Sequence, residues 1–525
     1  MKKLLTLILT ISCMANANAQ VIEGPMHEKF AVRIVADKLS DPWEITYGAD
    51  GQLWVTEARG YRVSRIDPAN GTKTVLLDLS REKNFPRYDK MKKEVSGGKP
   101  WPQGGLMGMA LHPGILKGKP YVYLAYIYNF AGADSTGNGC KIGERGCYFT
   151  TRIIRYEYQA AEQKLTNPIT LCDSIPGSND HNGGRLMIAP VNGKDYLFYT
   201  VGDLGAGQFN NGGRPNHAQD THYYEGKVLR FNVEPDTDAG KFDSWIPNDN
   251  PFNNSRQNAV WSYGHRNAQG LSYAVVGGKG RIYSSEHGPY SDDEINIVEK
   301  GKNYGHPLII GYADGNYNGL AASVSDKEIL PGTWHTTYPL ITDEKKNAAK
   351  IGLVLYRNPI KTLYPNSHNF LQNLFEGVKN NTGKDTEWPS EAPSSIEVYT
   401  SAAIPGWQNS LLLPALKGSK LVRLKLDAEG NQIISDTLNY FKGNVRYRDI
   451  AISPGGKSIY LAVDSNAISS GPSAHYPHSV SYRGCILEFT YVGQADSQSV
   501  PAKPSKLPEG TIKRKRSAAN NPKYR

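Results

Sequence analysis

Hydrophobic and polar positions along the chain come in short bursts separated by Gly, Asn, Asp and Pro, the punctuation of strands and tight turns. One grammar recurs: an apolar-rich strand, a Gly-containing turn, and a second strand. It appears in PWEITYGADGQLWVTE from Pro42, GLMGMALHP from Gly105 with YVYLAYIY from Tyr121, and DHNGGRLMIAP from Asp180 with YLFYT from Tyr196. It returns in NAQGLSYAVVGGKGRIYSSEHG from Asn267 and YRDIAISPGGKSIYLAVD from Tyr447. A third strand follows each pair: VSRID at Val63, IIRYEY at Ile153, VLRFNV at Val228, INIV at Ile295 and ILEFTY at Ile486. A sixth unit, NSLLLPALKGSKLVRLKLD from Asn409, keeps only the later strands. Short antiparallel sheets repeated radially predict an all-β, six-bladed β-propeller of four-stranded blades over residues 20–495, with long loops inserted between and within blades.

The pattern also predicts where polar groups collect. DHNGG precedes one strand, and GDLGAGQ from Gly202 follows the next. In an antiparallel pair the start of one strand lies beside the end of its neighbour, so both clusters share one rim.

Residues 1–19 carry Lys2 and Lys3, the apolar run LLTLILTI and the ending Ala17-Asn18-Ala19, the anatomy of a secretory signal peptide. Export to the periplasm or outside the cell is therefore expected, and no later stretch is apolar for long enough to span a membrane. Cys140 and Cys147 bracket a loop that a disulfide would close in an oxidising compartment, with zinc as the rival; Cys172 and Cys485 either pair or stay free. Gly 53 and Tyr 32 suit a chain of turns and strands.

The net charge of +10 raises the question of nucleic acid, but its location answers it. Residues 501–525 hold eight Lys or Arg against Glu509, Lys2 and Lys3 supply +2, and everything between carries only +1. The body is near neutral, no nucleic-acid partner is expected, and residues 496–525 read as a basic, disordered tail.

Nine stretches then carry a resemblance: QGGLMGMALHP from Gln103, DHNGGRL from Asp180, GDLGAGQ from Gly202, YEGKVLRFNV from Tyr224, GHRNAQGL from Gly264, SEHGPYSDDEIN from Ser285, NYGHP from Asn303, LPALKG from Leu413 and RYRD from Arg446. In this order, from about Pro42 to about Tyr491, the chain resembles the soluble quinoprotein glucose (aldose) dehydrogenases. Those are six-bladed propellers using pyrroloquinoline quinone (PQQ) and Ca²⁺. The resemblance implies oxidation of an aldose at C1 to the lactone, with electrons passed to an external acceptor. It implies His181 as the general base, supported by Asp180, and Arg266 and Asn267 at the quinone carbonyl. Lys417, Arg446 and Arg448 would hold the cofactor's carboxylates, a chemistry suited to guanidinium forks. Arg446 and Arg448 flank Tyr447, so in a strand they share a face.

The resemblance further implies that the carbonyls of Gly288 and Pro289 bind the Ca²⁺ that polarises the quinone, while Asp293 orients a water on it. Glu294, Tyr304, Ile310, Tyr312 and Asp314 match a further calcium site that supports a homodimer in the family. Substrate contacts carry over to Gln103, Asp180, Gln208 and Trp388. Departures gather around the sugar pocket: His287 stands where the family's best-known member has Gln, Ala206 where that member has Arg, and the basic insertion Arg81–Lys99 is unlike it. Two other readings stay open at this point. One is a calcium-dependent lactonase-type hydrolase, which has no need of the Lys417, Arg446 and Arg448 trio; the other is a carbohydrate-binding propeller without catalysis.

Overall fold

Six strands line the centre of the protein: Pro42–Tyr47, Leu106–Leu111, Leu186–Val191, Ala268–Val276, Glu397–Tyr399 and Tyr447–Ile452. Each touches the next, and the last touches the first, so they form a closed ring. From each of them an antiparallel sheet runs outward, giving the six blades of a propeller. The computed structural model describes residues 20–82, 103–132, 140–141, 146–208, 211, 213–237, 243–253, 257–323, 340–379, 389–435, 437–464, 481–495 and 506–507. The expected signal peptide, Trp388 and most of the basic tail lie outside these residues.

Blades stack face to face, so their middle strands are covered on both sides. Leu53–Glu57, Lys227–Asn232 and Ser410–Pro414 are buried at every position, whereas the outer strand Lys73–Asp78 keeps mostly exposed or half-exposed residues. An apolar cluster fills each gap between neighbours; Trp54, Tyr61 and Val63 of the first blade, for example, meet Leu124, Tyr126 and Tyr156 of the second. A further cluster joins Ile45, Leu53 and Val55 of the first blade to Tyr460, Ala462 and Ile486 of the last, which completes the circle.

The structure adds two elements that the sequence pattern left out. The unit from Asn409 does not lack its first strand: Glu397–Tyr399 supplies it, pairing with Ser410–Pro414. Three residues are too few to show a period. The last blade is completed from the other end of the chain, since Glu28–Ala36 pairs with Ile486–Gln494 and Gln20–Glu23 pairs outside it. This seam is held by Phe30, fully buried among Trp407, Tyr440, Phe441 and Tyr491. Beside it the buried Glu28 carboxylate accepts from Trp407 Nε1 at 2.9 Å and Tyr440 O–H at 2.8 Å.

Among the described residues the chain has two helices, α1 (Glu344–Ile351) and α2 (His368–Lys379), both in the insertion between Asp293–Ile297 and Lys361–Leu363. Cys140 and Cys147 are joined by a disulfide, which removes the zinc alternative, and Cys172 and Cys485 are free thiols. In the stretch expected to lie loose, Leu507 is buried, its N–H bonded to Lys442 O at 2.9 Å.

On one side the ring of central strands encloses a cavity of about 360 Å³, lined from every blade by residues that include Glu44, Met109, Arg185, Ser272, Glu397 and Asp449. Arg185 closes it: its guanidinium bonds Glu44, meets Asp449 at 3.0 Å, donates to Gln269 O at 2.9 Å and lies 4.4 Å from the Trp43 ring centre. Burial pushes the Glu397 carboxyl up to about 7, although Val398 N–H and Ser272 O–H donate to it.

Two outcomes follow from this packing. Phe30→Ala should lower the unfolding free energy by roughly 3–5 kcal/mol, the cost of emptying a fully buried aromatic site; a urea titration showing less than about 1 kcal/mol would mean the seam is held elsewhere. Glu397 binds its proton more tightly folded (about 7) than unfolded (roughly 4.3), so its contribution is fully present below the lower value. Stability is then lost as pH rises between the two, with a slope of at most about 1.4 kcal/mol per pH unit. Glu397→Gln should flatten that slope in thermal melts taken from pH 4 to 7.5, and an unchanged profile would refute the assignment.

Candidate active site at the propeller rim

The two polar clusters meet as antiparallel geometry requires. Leu186 pairs with Tyr199, Gly184 N–H bonds Thr200 O at 2.9 Å, and His181 and Asp203 come to rest against each other. His181 is buried with φ +46°, and its carbonyl approaches Gly202 so closely that a Cβ there would stand 2.0 Å from it. Only glycine permits this contact.

The imidazole is held at both nitrogens. His181 Nδ1 lies 2.7 Å from Asp203 Oδ1, and Nε2 lies 3.1 Å from Gln208 Nε2. A carboxylate accepts and an amide nitrogen donates, so the ring proton sits on Nδ1 and a lone pair on Nε2. The orientation of Gln208 is fixed in turn, because its Oε1 accepts from Arg266 NH2 at 3.1 Å and Ser323 O–H at 2.8 Å. Its amide also donates to Asp180 Oδ2 at 3.4 Å. Gln208 therefore ties Asp180, His181, Arg266 and Ser323 into one cluster.

Asp180 precedes His181 in the chain, yet its side chain accepts from the His181 backbone N–H at 3.1 Å, while Asp203 holds the ring. Asp203 is fully buried, and its second oxygen lies 2.9 Å from His306 Nε2 and accepts from Asn216 Nδ2 at 3.4 Å. Burial opposes its charge, but the His181 and His306 rings outweigh burial and hold the carboxyl well below the usual range. Burial also lowers the His306 pKa. Asp203 and His306 both lie in stretches quoted above, GDLGAGQ and NYGHP, but nothing local marked them as partners.

Arg446 and Arg448 share Asp464. Arg446 Nε lies 3.4 Å from Oδ2, and Arg448 bonds both carboxylate oxygens at 2.8 Å. Arg446 is buried, which lowers its pKa. Arg448 NH1 also donates to Gln269 Oε1 at 2.8 Å. Neither Asp464 nor Gln269 was legible as a partner from sequence. Asn267 braces the site through its Oδ1, which accepts from Gly183 N–H at 3.2 Å. Lys417 N–H bonds Glu391 O at 3.1 Å, and Gln103 N–H bonds Asn179 O at 3.1 Å.

The residues expected around calcium fall into two groups. Gly288 occupies a turn so tight that a Cβ would meet Ser291 O at 1.8 Å, but its carbonyl accepts from Arg266 NH1 at 2.9 Å. A guanidinium thus stands at the carbonyl assigned to the metal, with Pro289 next in the turn. Asp293 is buried, its oxygens taking Gly288 N–H, Ser390 O–H, Glu391 N–H and Ala392 N–H, and burial pushes it up to about 6. Glu294 is pushed well above its usual value by burial and the nearby Glu286, and accepts from Gly311 N–H at 2.9 Å. Asp314 accepts from Asn316 N–H at 3.0 Å and donates its own N–H to Tyr312 O at 2.8 Å. Glu344, which sequence reasoning missed, accepts Ile310 N–H at 2.9 Å and Gly315 N–H at 2.8 Å, and burial raises it to about 7. Tyr304 does not join these acids through its side chain: its O–H donates to Ile297 O at 2.5 Å and its ring stacks on His265 at 4.5 Å. Among the described residues no His, Cys, Asp and Glu cluster has the arrangement of a metal site.

Comparison with known proteins follows the same outline. The model of the glucose/sorbosone dehydrogenase family matches residues 39–343 and 381–469. Quinoprotein glucose dehydrogenase B of Acinetobacter calcoaceticus is 32% identical over 486 residues, covering 88% of this chain and 91% of the relative. Aldose sugar dehydrogenase YliI of Escherichia coli K12 is 26% identical over 442 residues, covering 83% of this chain and 90% of the relative. Among solved structures, the PQQ-bound aldose sugar dehydrogenase of Streptomyces coelicolor superposes with a TM-score of 0.55 at 24% identity, over 88% of this chain and 98% of that one. The apo-form of the soluble E. coli aldose sugar dehydrogenase gives 0.55 at 22%, over 88% and 100%; these two likenesses bear on the fold. With the family model spanning most of its length, and a propeller rim bearing an oriented imidazole beside clustered arginines, this chain belongs to the glucose/sorbosone dehydrogenase family of sugar dehydrogenases.

Proposed function

We propose that the protein oxidises an aldose at C1 to the lactone, with His181 as general base and PQQ as cofactor. The observation that carries the reading is the locked imidazole, with Nδ1–H on Asp203 and the Nε2 lone pair directed at the Gln208 amide. Displacing that amide with a sugar hydroxyl puts the substrate proton within reach of Nε2. The proton moves to Nε2, and Asp203 stabilises the imidazolium that forms, as a buried carboxylate does for a catalytic histidine. Gln208 and Asp180 are placed to hold neighbouring hydroxyls. Arg266, tied to the base through Gln208, is placed to stabilise negative charge that develops beside it.

The donor set fits a tricarboxylated quinone. Arg446 and Arg448 share one carboxylate, and with Lys417 and Arg266 they offer cations to planar anions. When bound, PQQ supplies the two-electron acceptor for the hydrogen leaving the sugar carbon, and passes the electrons to an external acceptor. Ca²⁺ is proposed as well. The carbonyls of Gly288 and Pro289 would offer the oxygen donors that a hard dication prefers, with Asp293, which accepts from Gly288 N–H at 3.0 Å, beside them to orient a water.

The test begins with chelator-treated protein, PQQ and Ca²⁺, an aldose panel and a dye that reports reduction. Wild type should reduce the dye with at least one aldose, and omission of Ca²⁺ should prevent it. His181→Ala should lower kcat by roughly 10²–10⁴ with an unchanged far-UV circular dichroism spectrum; full activity in that variant would end the proposal. Arg446→Ala with Arg448→Ala should weaken PQQ binding about 10- to 100-fold per charged hydrogen bond lost, while His181→Ala leaves it unchanged. Equal affinity in titrations of the double variant would exclude these arginines from the cofactor site.

A further inference from the structure

Directly after α1 the chain turns outward at Gly352, φ +96°, and presents Leu353, Val354 and Leu355 at 83%, 76% and 43% exposure. Single exposed apolar residues are ordinary, but three in succession on a fixed tip are not. The tip is fixed at its base. Gly352 N–H caps α1 through Ala348 O at 3.0 Å, Tyr356 N–H returns to Gly352 O at 2.9 Å, and Asn303 N–H holds Leu355 O at 3.0 Å. Ala348 and Ile351 anchor the inner side of the helix against Ile309 and Tyr356. The side chains point outward because the backbone holds them there.

Basic groups lie along the helix that leads to the tip and at the tip's backbone. Lys345, Lys346 and Lys350 are exposed along α1, and Lys302 Nζ donates to Val354 O at 2.7 Å, which sets an ammonium against the tip itself. The nearby acids are engaged: Asp343 caps α1 and meets Lys346 at 3.5 Å, Glu299 lies 2.5 Å from Arg357, and Glu344 is buried.

We propose that this loop docks the protein on an anionic lipid surface, with Leu353 and Val354 entering the headgroup boundary and the lysines facing the headgroups. Charge selects this occupant. Lysine is depleted where proteins bury one another, and a second copy would set like-charged lysine collars face to face. One small apolar anchor gives only marginal attachment, and a polybasic segment is the usual second signal. The sequence holds one, since residues 501–525 carry eight Lys or Arg against Glu509. The loop is anchored to Asn303, which bonds Leu355 O and Arg357 N–H and lies three residues before His306. The inference does not depend on the identity of the cofactor.

Flotation of the full chain with vesicles tests it, comparing phosphatidylglycerol mixed equally with phosphatidylcholine against phosphatidylcholine alone. Binding should favour the anionic vesicles by roughly tenfold or more and weaken steeply in added salt. Leu353→Asp with Val354→Asp should reduce binding about tenfold, and Lys345→Glu with Lys346→Glu should do likewise, both leaving dye-linked sugar oxidation intact. Equal binding to both vesicles, or undiminished binding by the Leu353/Val354 variant, overturns the proposal. So does an absence of lipid binding combined with a sedimenting mass that falls from dimer to monomer in that variant, which would assign the tip to a second copy.

Discussion

The rim is organised by one buried carboxylate. Asp203 is wholly inside the protein, and its oxygens are shared among His181 Nδ1, Gly205 N–H, His306 Nε2 and Asn216 Nδ2, while its own N–H holds Arg266 O at 2.7 Å. Taking a carboxylate out of water is expensive unless its lone pairs are filled, and here all the donors come from segments that must otherwise find their own places. The loop after the second strand of one blade, the start of the next blade and the segment around His306 are thereby fixed against each other. The orientation of the base is a consequence of that fixation. It is set across segments, not by the strand that follows it.

This explains which parts of the protein were legible in its sequence. The blades were, because burial on both faces makes each middle strand an apolar burst bounded by turn residues. The strand Glu397–Tyr399 escaped because three residues show no period, and the seam at Phe30 escaped because its partners lie more than 370 residues away. The rim was legible for a geometric reason, since antiparallel pairing brings DHNGG to GDLGAGQ whatever their chemistry. The pairings within it were not. The His181 ring bonds Asp203, 22 residues on, and the positive φ of +46° at this histidine leaves no mark in the sequence. Arg446 and Arg448 were expected to share a face from their spacing, and they do meet at Asp464, 16 residues on from Arg448. The Gly288 carbonyl accepts from Arg266, a contact that nothing in the local pattern marked.

The distribution of charge along the propeller axis carries the argument one step further. Arg185, at the floor of the rim, is matched by two carboxylates, Glu44 and Asp449, and stacks on Trp43, so it is electrically closed and serves as a plug between the central strands. Arg446 and Arg448 share Asp464, and Asp41, which also bears on Arg446, is paired with Arg59. Gln269 joins the two regimes, with its carbonyl on Arg185 and its side-chain oxygen on Arg448. The same residue type therefore does different things a short distance apart: matched by two carboxylates in the channel, Arg185 seals it, whereas Arg446 and Arg448 are gathered on one carboxylate at the rim. The paired guanidinia of Arg446 and Arg448, rather than the plugged channel, are where the planar carboxylates of the proposed cofactor would find matching forks.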